Sequence, residues 1–228
     1  MKTLGILGGV GPQTTSKIYH KIIDSFREKG RKYPSIMIYN LPFPFKVEYE
    51  AIIEGQNSHK MLPYLLSGAK ILEKSGASFG ILPCNTLHKY ISEIRKSVKI
   101  PFLSILEEVK RDLNTRKINK ICILATQSTV NDRLYDNLLD KSKIIYPSKN
   151  DQRSLDKIIL RLINGQSSKN DTEQFQKICQ NASDVGAEAI LLACTDLQEI
   201  AIKITPKAPF IDTVEILVNS SLQMLRQK

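Results

Sequence analysis

The sequence predicts an α/β protein made of two pseudo-symmetric parallel-sheet α/β domains, with the active site in the cleft between them. Three observations carry this reading. Short apolar runs alternate with longer helical patterns along all 228 residues, glycines fall where helices should stop, and one segment returns in a second copy. Strand–helix–strand alternation is the pattern of parallel sheets covered by helices on both faces.

The strands are expected at Thr3–Leu7, Ser35–Asn40, Phe79–Leu82, Lys120–Leu124, Lys143–Ile145 and Glu188–Leu192. Helices are expected at Gln13–Arg27, Asn57–Lys74, His88–Lys96, Asn131–Leu139, Leu155–Ile163, Thr172–Asp184 and Thr213–Leu225. In the first helix Ile18, Ile22, Ile23 and Phe26 recur at helical spacing and make one face apolar. Gly30, Gly76, Gly165 and Gly186 stand at helix ends, where a left-handed residue closes the last turn.

The repeat is the more informative feature. Gly76-Ala77-Ser78-Phe79-Gly80-Ile81-Leu82-Pro83-Cys84 aligns with Gly186-Ala187-Glu188-Ala189-Ile190-Leu191-Leu192-Ala193-Cys194 at an offset of 110 residues, which Leu87 and Leu197 keep. Ile100-Pro101-Phe102-Leu103 answers Ala208-Pro209-Phe210-Ile211 at an offset of 108, and Gly5-Ile6-Leu7-Gly8 answers Cys122-Ile123-Leu124-Ala125 more weakly. The expected division is residues 1–103 plus 212–228 in an N-terminal domain and 104–211 in a C-terminal one. Sites in parallel sheets form beyond the carboxyl ends of the strands. Cys84 and Cys194 both occupy such ends, so a pseudo-twofold would bring the two thiols face to face.

Bulk properties exclude several classes. Hydrophobic residues make up 42% and charged residues 25%, the balance of an ordinary globular protein. No run approaches the roughly 18 apolar residues of a membrane span, and the apolar start breaks at Gly8-Gly9, too early for a signal peptide. A cytoplasmic location with no membrane partner is expected. The net charge of +10 comes from dispersed lysines without interleaved aromatics, so no nucleic-acid partner is expected. Cys84, Cys122, Cys179 and Cys194 form no CxxC pair, and His20, His59 and His88 form no ligand cluster, which argues for free thiols and no metal. Gly9-Val10-Gly11-Pro12-Gln13-Thr14 approaches a dinucleotide fingerprint but lacks its third glycine, and Asn40 stands where a ribose-binding acid is needed. Those glycines fit better as backbone donors near a carboxylate.

Two thiols on opposite faces of a carbon suit stereoinversion of an amino acid, one removing the α-proton and the other returning one. A cysteine near a helix N-terminus has a lowered pKa and works as acid or base. Thr86 and Thr195 follow the cysteines as expected helix N-caps, and with Asn85 and the backbone amides they are candidates to hold a carboxylate. His88 and Asp196 are candidates to tune the thiols. Cys122, mid-strand, and Cys179, in a helical pattern, are expected to be core residues.

At these residues the chain resembles the aspartate/glutamate racemase superfamily, aspartate racemase branch. The likeness runs from Gly5-Ile6-Leu7-Gly8-Gly9-Val10-Gly11-Pro12 to the C-terminal helix and is most specific at Pro83-Cys84-Asn85-Thr86-Leu87-His88 and Ala193-Cys194-Thr195-Asp196-Leu197. The resemblance implies a racemase of aspartate or a similar amino acid, an isomerase with no cofactor (neither pyridoxal phosphate nor metal), usually a homodimer. It assigns Cys84 and Cys194 to catalysis and Gly9, Lys46, Asn85, Thr86, Thr129 and Thr195 to substrate, with His88, Asp196 and Arg161 in support. Lys46 stands nearest to where the branch carries a side-chain-gripping arginine; Arg161 is the second cation considered. Where the family reads glycine-cysteine-threonine-glutamate, this chain has Ala193 and Asp196. The alternatives are a hydantoin racemase or maleate isomerase type of enzyme, or a non-catalytic amino-acid or dicarboxylate binder.

Overall fold

The computed structural model describes residues 2–28, 30, 32–138 and 143–227. The chain runs β1 (Thr3–Gly8), α1 (Pro12–Arg27), β2 (Ser35–Asn40), α2 (Phe45–Ile52), α3 (Leu62–Lys74), β3 (Phe79–Ile81), α4 (Ile91–Ser97) and α5 (Ile105–Arg116). It continues through β4 (Ile121–Leu124), α6 (Gln127–Asn131), β5 (Ile144–Ile145), α7 (Lys149–Ile163), α8 (Lys169–Asp184), β6 (Ala189–Leu192), α9 (Gln198–Ala201), β7 (Phe210–Asp212) and α10 (Thr213–Arg226). The fold is α/β with parallel sheets, as the sequence predicts.

Two sheets form, in the orders β2-β1-β3 and β5-β4-β6-β7, and every pairing is parallel. The repeat is visible in this order: β1, β2 and β3 correspond to β4, β5 and β6. In the place of β7 the first sheet has a single parallel bridge from Gly80 to Phe102. A Cβ on Gly80 would stand 2.3 Å from the Phe102 ring, so only glycine lets that ring lie against β3.

Alternation along the strands sorts the core into layers. Leu4, Ile6, Phe79 and Ile81 of the first sheet share one buried cluster with Ile121, Ile123, Ala189 and Leu191 of the second, filled in by α5 and α10 through Ile105, Val109, Leu113, Val214 and Leu217. On the outer faces, Leu7 and Leu82 meet Leu65, Ala69 and Leu72 of α3, while Leu124, Ile190 and Leu192 meet α7 and α8. Helix starts are capped in the expected manner. Ser104 accepts from Glu107 N–H before α5, and Ser168 and Asp171 form a reciprocal capping box before α8.

One difference from the sequence reading has a clear physical cause. The helix expected over Asn131–Leu139 starts earlier, at Gln127, and stops at Asn131; Arg133 takes a left-handed φ of 52°, which ends helical bonding, and Leu139 lies outside the described residues. The helices α2, α5 and α9 and the strand β7 lie in stretches to which the sequence reading assigns no element. No helix among the described residues is long and apolar enough to cross a membrane.

Candidate active site

The loops after β1, β3, β4 and β6 converge on a cavity of about 240 Å³. Its lining includes Gly11, Phe45, Glu48, Ile52, Cys84, Thr86, Cys194 and Asp196. Both cysteines therefore reach one cavity from equivalent strand ends, and each is almost fully buried, at 7% and 8% exposure.

The thiols differ from the sequence expectation in their titration. Burial raises the Cys84 thiol to about 12, with the backbone amides of Leu87 and Thr86 pulling the other way and the carboxylates of Glu48 and Asp196 adding to the rise. Burial also pushes Cys194 well up, with Asp196 the next cause. A lowered pKa at a helix N-terminus needs a developed helix dipole. Here the turn after each cysteine, Thr86–Tyr90 or Thr195–Leu197, is 3₁₀ and leads into a short helix, α4 or α9. At both cysteines desolvation outweighs the few amides and favours the thiol.

Asp196 stands against one of them. The Cys194 Sγ donates to its Oδ2 at 3.7 Å, and burial raises the Asp196 carboxyl above the ordinary range, so it is a competent proton acceptor. His88 is 1% exposed and does not act on a thiol directly. Its Nε2 accepts from the Ile105 N–H at 3.0 Å, which leaves Nδ1–H to donate to the Cys84 carbonyl at 2.6 Å. Burial lowers its pKa to about 4, so it is a neutral strut between the Cys84 loop and the start of α5.

The polar residues after Cys84 are tied to the second half of the chain. Asn85 Nδ2 donates to Thr213 Oγ1 at 3.1 Å and Asn85 Oδ1 accepts from the Tyr135 hydroxyl. The hydroxyls of Thr86, Thr126 and Thr129 form a triangle with sides of 3.0 to 3.2 Å. Thr86 therefore does not cap a helix, and neither does Thr195, which follows Cys194 as the N-cap of its turn. Thr86, Thr195 and Asn85 reach the cavity; Thr129 stands behind Thr86 and outside the lining. Gly9 (φ 99°) shapes the loop from behind, where a Cβ would come within 2.9 Å of the Leu41 nitrogen, and Gly11 is the glycine on the cavity wall.

Neither expected cation reaches the cavity. The side chain of Lys46 is 86% exposed and leans toward Glu50 at 3.9 Å. Arg161 turns instead to Asp171, donating from Nε to both carboxylate oxygens at 2.9 and 3.0 Å. That ion pair holds the Asp171 carboxyl below the usual range. Arg161→Ala is accordingly expected to cost about 2 kcal/mol of stability, because it strands a buried carboxylate while Arg161 itself is partly solvated. Chemical denaturation would measure that loss, and KM is expected to stay at the wild-type value.

What the sequence reading missed is Glu48. It lies on α2, where Phe45, Glu48 and Ile52 at i, i+3 and i+7 form the face toward the cavity, with Lys46 and Glu50 pointing elsewhere. Burial raises the Glu48 carboxyl and the Gly11 backbone amide partly offsets this. The i, i+3, i+7 spacing was the available signal, but the sequence reading assigns Phe45–Ile52 no element.

The whole arrangement has relatives. The family described as Asp/Glu/Hydantoin racemase matches residues 7–221. The chain is 28% identical over 225 residues to the broad specificity amino-acid racemase RacX of Bacillus subtilis (strain 168), covering 96% of each. Among solved structures it resembles an aspartate racemase homologue from Pyrococcus horikoshii OT3, with a TM-score of 0.79, 25% identity and full coverage of both chains. The aspartate racemase of Picrophilus torridus matches with the same TM-score and identity over 100% of this chain and 96% of that one. This chain, with its two cysteines at the ends of β3 and β6, belongs to the Asp/Glu/hydantoin racemase family of amino-acid isomerases.

Proposed function

We propose that the protein racemises a free α-amino acid by moving a proton between Cys84 and Cys194, without pyridoxal phosphate or metal. The observation that carries this is the pair of thiols, from repeat-related positions, lining a single cavity of about 240 Å³. A cavity of that size suits one small molecule.

The chemistry follows from the lining. Asp196 takes the Cys194 proton and leaves a thiolate. With substrate bound, its ammonium group stabilises that charge. The thiolate removes the α-hydrogen as a proton from one face, the electron pair delocalises into the α-carboxylate, and the Cys84 thiol delivers its proton to the opposite face. In the reverse direction the roles exchange. The hydroxyls of Thr86 and Thr195, with neighbouring backbone amides, hold the carboxylate and meet the extra charge of the carbanion. His88 positions Cys84 by its grip on the backbone carbonyl. The division at residue 103, with 212–228 returning to the first half, goes with this reading; α10 packs against α1 and β1 of the first half and also against α5, which opens the second.

A reaction in D2O tests the scheme. Starting from one enantiomer, the product is expected to carry α-deuterium from the first turnovers, because its hydrogen comes from a solvent-exchanged thiol. The residual substrate is expected to keep its α-protium, as read by proton NMR with chiral chromatography. Deuterium appearing in the substrate as fast as inversion would indicate a single base and end the two-thiol scheme.

A further inference from the structure

We infer that the amino acid taken by this site carries a cationic side chain, an ammonium or guanidinium group, held by the Glu48 carboxylate. The inference rests on the racemase reading of the cavity and names its substrate class.

A free amino acid brings one ammonium and one carboxylate of its own. The cavity lining contains two further carboxylates, Glu48 and Asp196, and among the described residues that line it there is no lysine, arginine or histidine. Of the nearby cations, Lys17 pairs with Glu199 at 3.0 Å, and the exposed Lys46 side chain lies toward Glu50 and solvent, outside the cavity lining. Asp196 is committed to the reacting thiol at 3.7 Å, and there it also faces the α-ammonium. Glu48 is left over. Among the described ion pairs none involves Glu48, and its only stabilising neighbour is the Gly11 amide.

Three side-chain chemistries compete for the space beside Glu48. A dicarboxylate would place a third anion against two carboxylates in a desolvated cavity, where like charges repel strongly. A purely apolar side chain would cover Glu48 further without giving it a partner, at the cost of burying an unpaired charge. A cation at the end of a methylene stem satisfies both features of the wall: the stem lies along Ile52 and Phe45, and the head meets Glu48. Phe45 is 65% exposed and stands at the mouth, where a long side chain would pass it. The mutual repulsion of Glu48 and Asp196 is relieved by the same cation.

Calorimetric titration of the purified protein with L-lysine, L-arginine, L-norleucine and L-aspartate tests this, with racemisation followed in parallel. Lysine or arginine is expected to bind at least about 30-fold more tightly than norleucine or aspartate, and Glu48→Gln to remove that preference, weakening lysine and tightening norleucine, which no longer buries an unpaired charge. Glu48→Arg is expected to reverse the order and admit aspartate, a gain that a folding defect would not produce. Aspartate binding as tightly as lysine to the wild type, or an unchanged lysine-to-norleucine ratio in Glu48→Gln, overturns the inference. If lysine binds through Glu48 but its α-proton neither exchanges nor inverts, the ligand class stands and the racemase reading falls. If aspartate alone is racemised, the racemase reading stands and the substrate class falls.

Discussion

Cys84→Ala and Cys194→Ala are each expected to racemise at about a thousandth of the wild-type rate or less, since each removes a proton-transfer group from one face of the α-carbon. The double variant is expected to be no slower than either single one, because the two thiols act as a unit and losing one disables both directions. Stability should change little: each side chain borders a cavity, so its removal enlarges an existing space and forfeits only part of the packing of a buried group. Chiral chromatography and thermal unfolding on the same preparations separate the two effects. Cys122→Ala and Cys179→Ala provide the contrast. These residues belong to the buried cluster beneath α7 and α8, and turnover is expected to survive their loss. Wild-type turnover in an alanine variant at position 84 or 194 would remove that thiol from the mechanism.

Acidification from pH 6.5 toward 4 is expected to destabilise the fold through His88 by about 3 kcal/mol. The sign follows from proton counts. Burial holds the folded imidazole at about 4, below its ordinary 6.5, so between these values the unfolded chain binds a proton that the folded chain refuses. Stability is therefore intact above 6.5, falls through the window and levels off below 4. The buried carboxyls Asp196, Asp212 and Glu48 are shifted upward and act oppositely, gaining stability as the pH drops. Only a comparison with a variant isolates the histidine. In His88→Gln the His88 contribution to the pH 7 to pH 4.5 difference should vanish, as read by denaturant titration at both values. A wild-type slope in that variant would assign the acid sensitivity elsewhere. The variant should also slow racemisation, because the Cys84 carbonyl loses its donor at 2.6 Å.

The fold was legible where the information is periodic or repeated. Most strands and the long helices follow from alternation and 3.6-residue spacing, and the offset between Cys84 and Cys194 located both halves of the site without any coordinates. The rest depends on long-range packing. Tyr135 meets Asn85 across 50 residues of sequence and Thr213 meets it across 128, contacts that leave no local trace. The thiol pKa values were misjudged because a nearby helix start is visible in sequence, whereas complete burial is not. Lys46 is read as a contact from its charge and its place shortly after the second strand, and Arg161 as a second cation; neither carries a signal of side-chain direction. The turn of α2 directs Glu48 inward in place of Lys46, and the capping box of α8 supplies the carboxylate that engages Arg161.

The bonds from Asn85 to Tyr135 and Thr213, and from Thr86 to Thr126 and Thr129, exist before any ligand arrives. Those to Tyr135, Thr126 and Thr129 pin the loop that carries Cys84 to the opposite half of the molecule, with one hydrophobic core continuing beneath both. Spreading the halves like a clamshell would break those bonds and wet that core. The reaction centre is thus preorganised, its conformational entropy already lost in folding, and little remains to be lost when an amino acid binds. Outside that pinned frame lies α2, whose principal neighbour is the short turn Ser58–Met61 and which lines the cavity with Phe45, Glu48 and Ile52. Under the proposal above, the helix that meets the substrate's side chain is thus separate from the frame that holds the thiols.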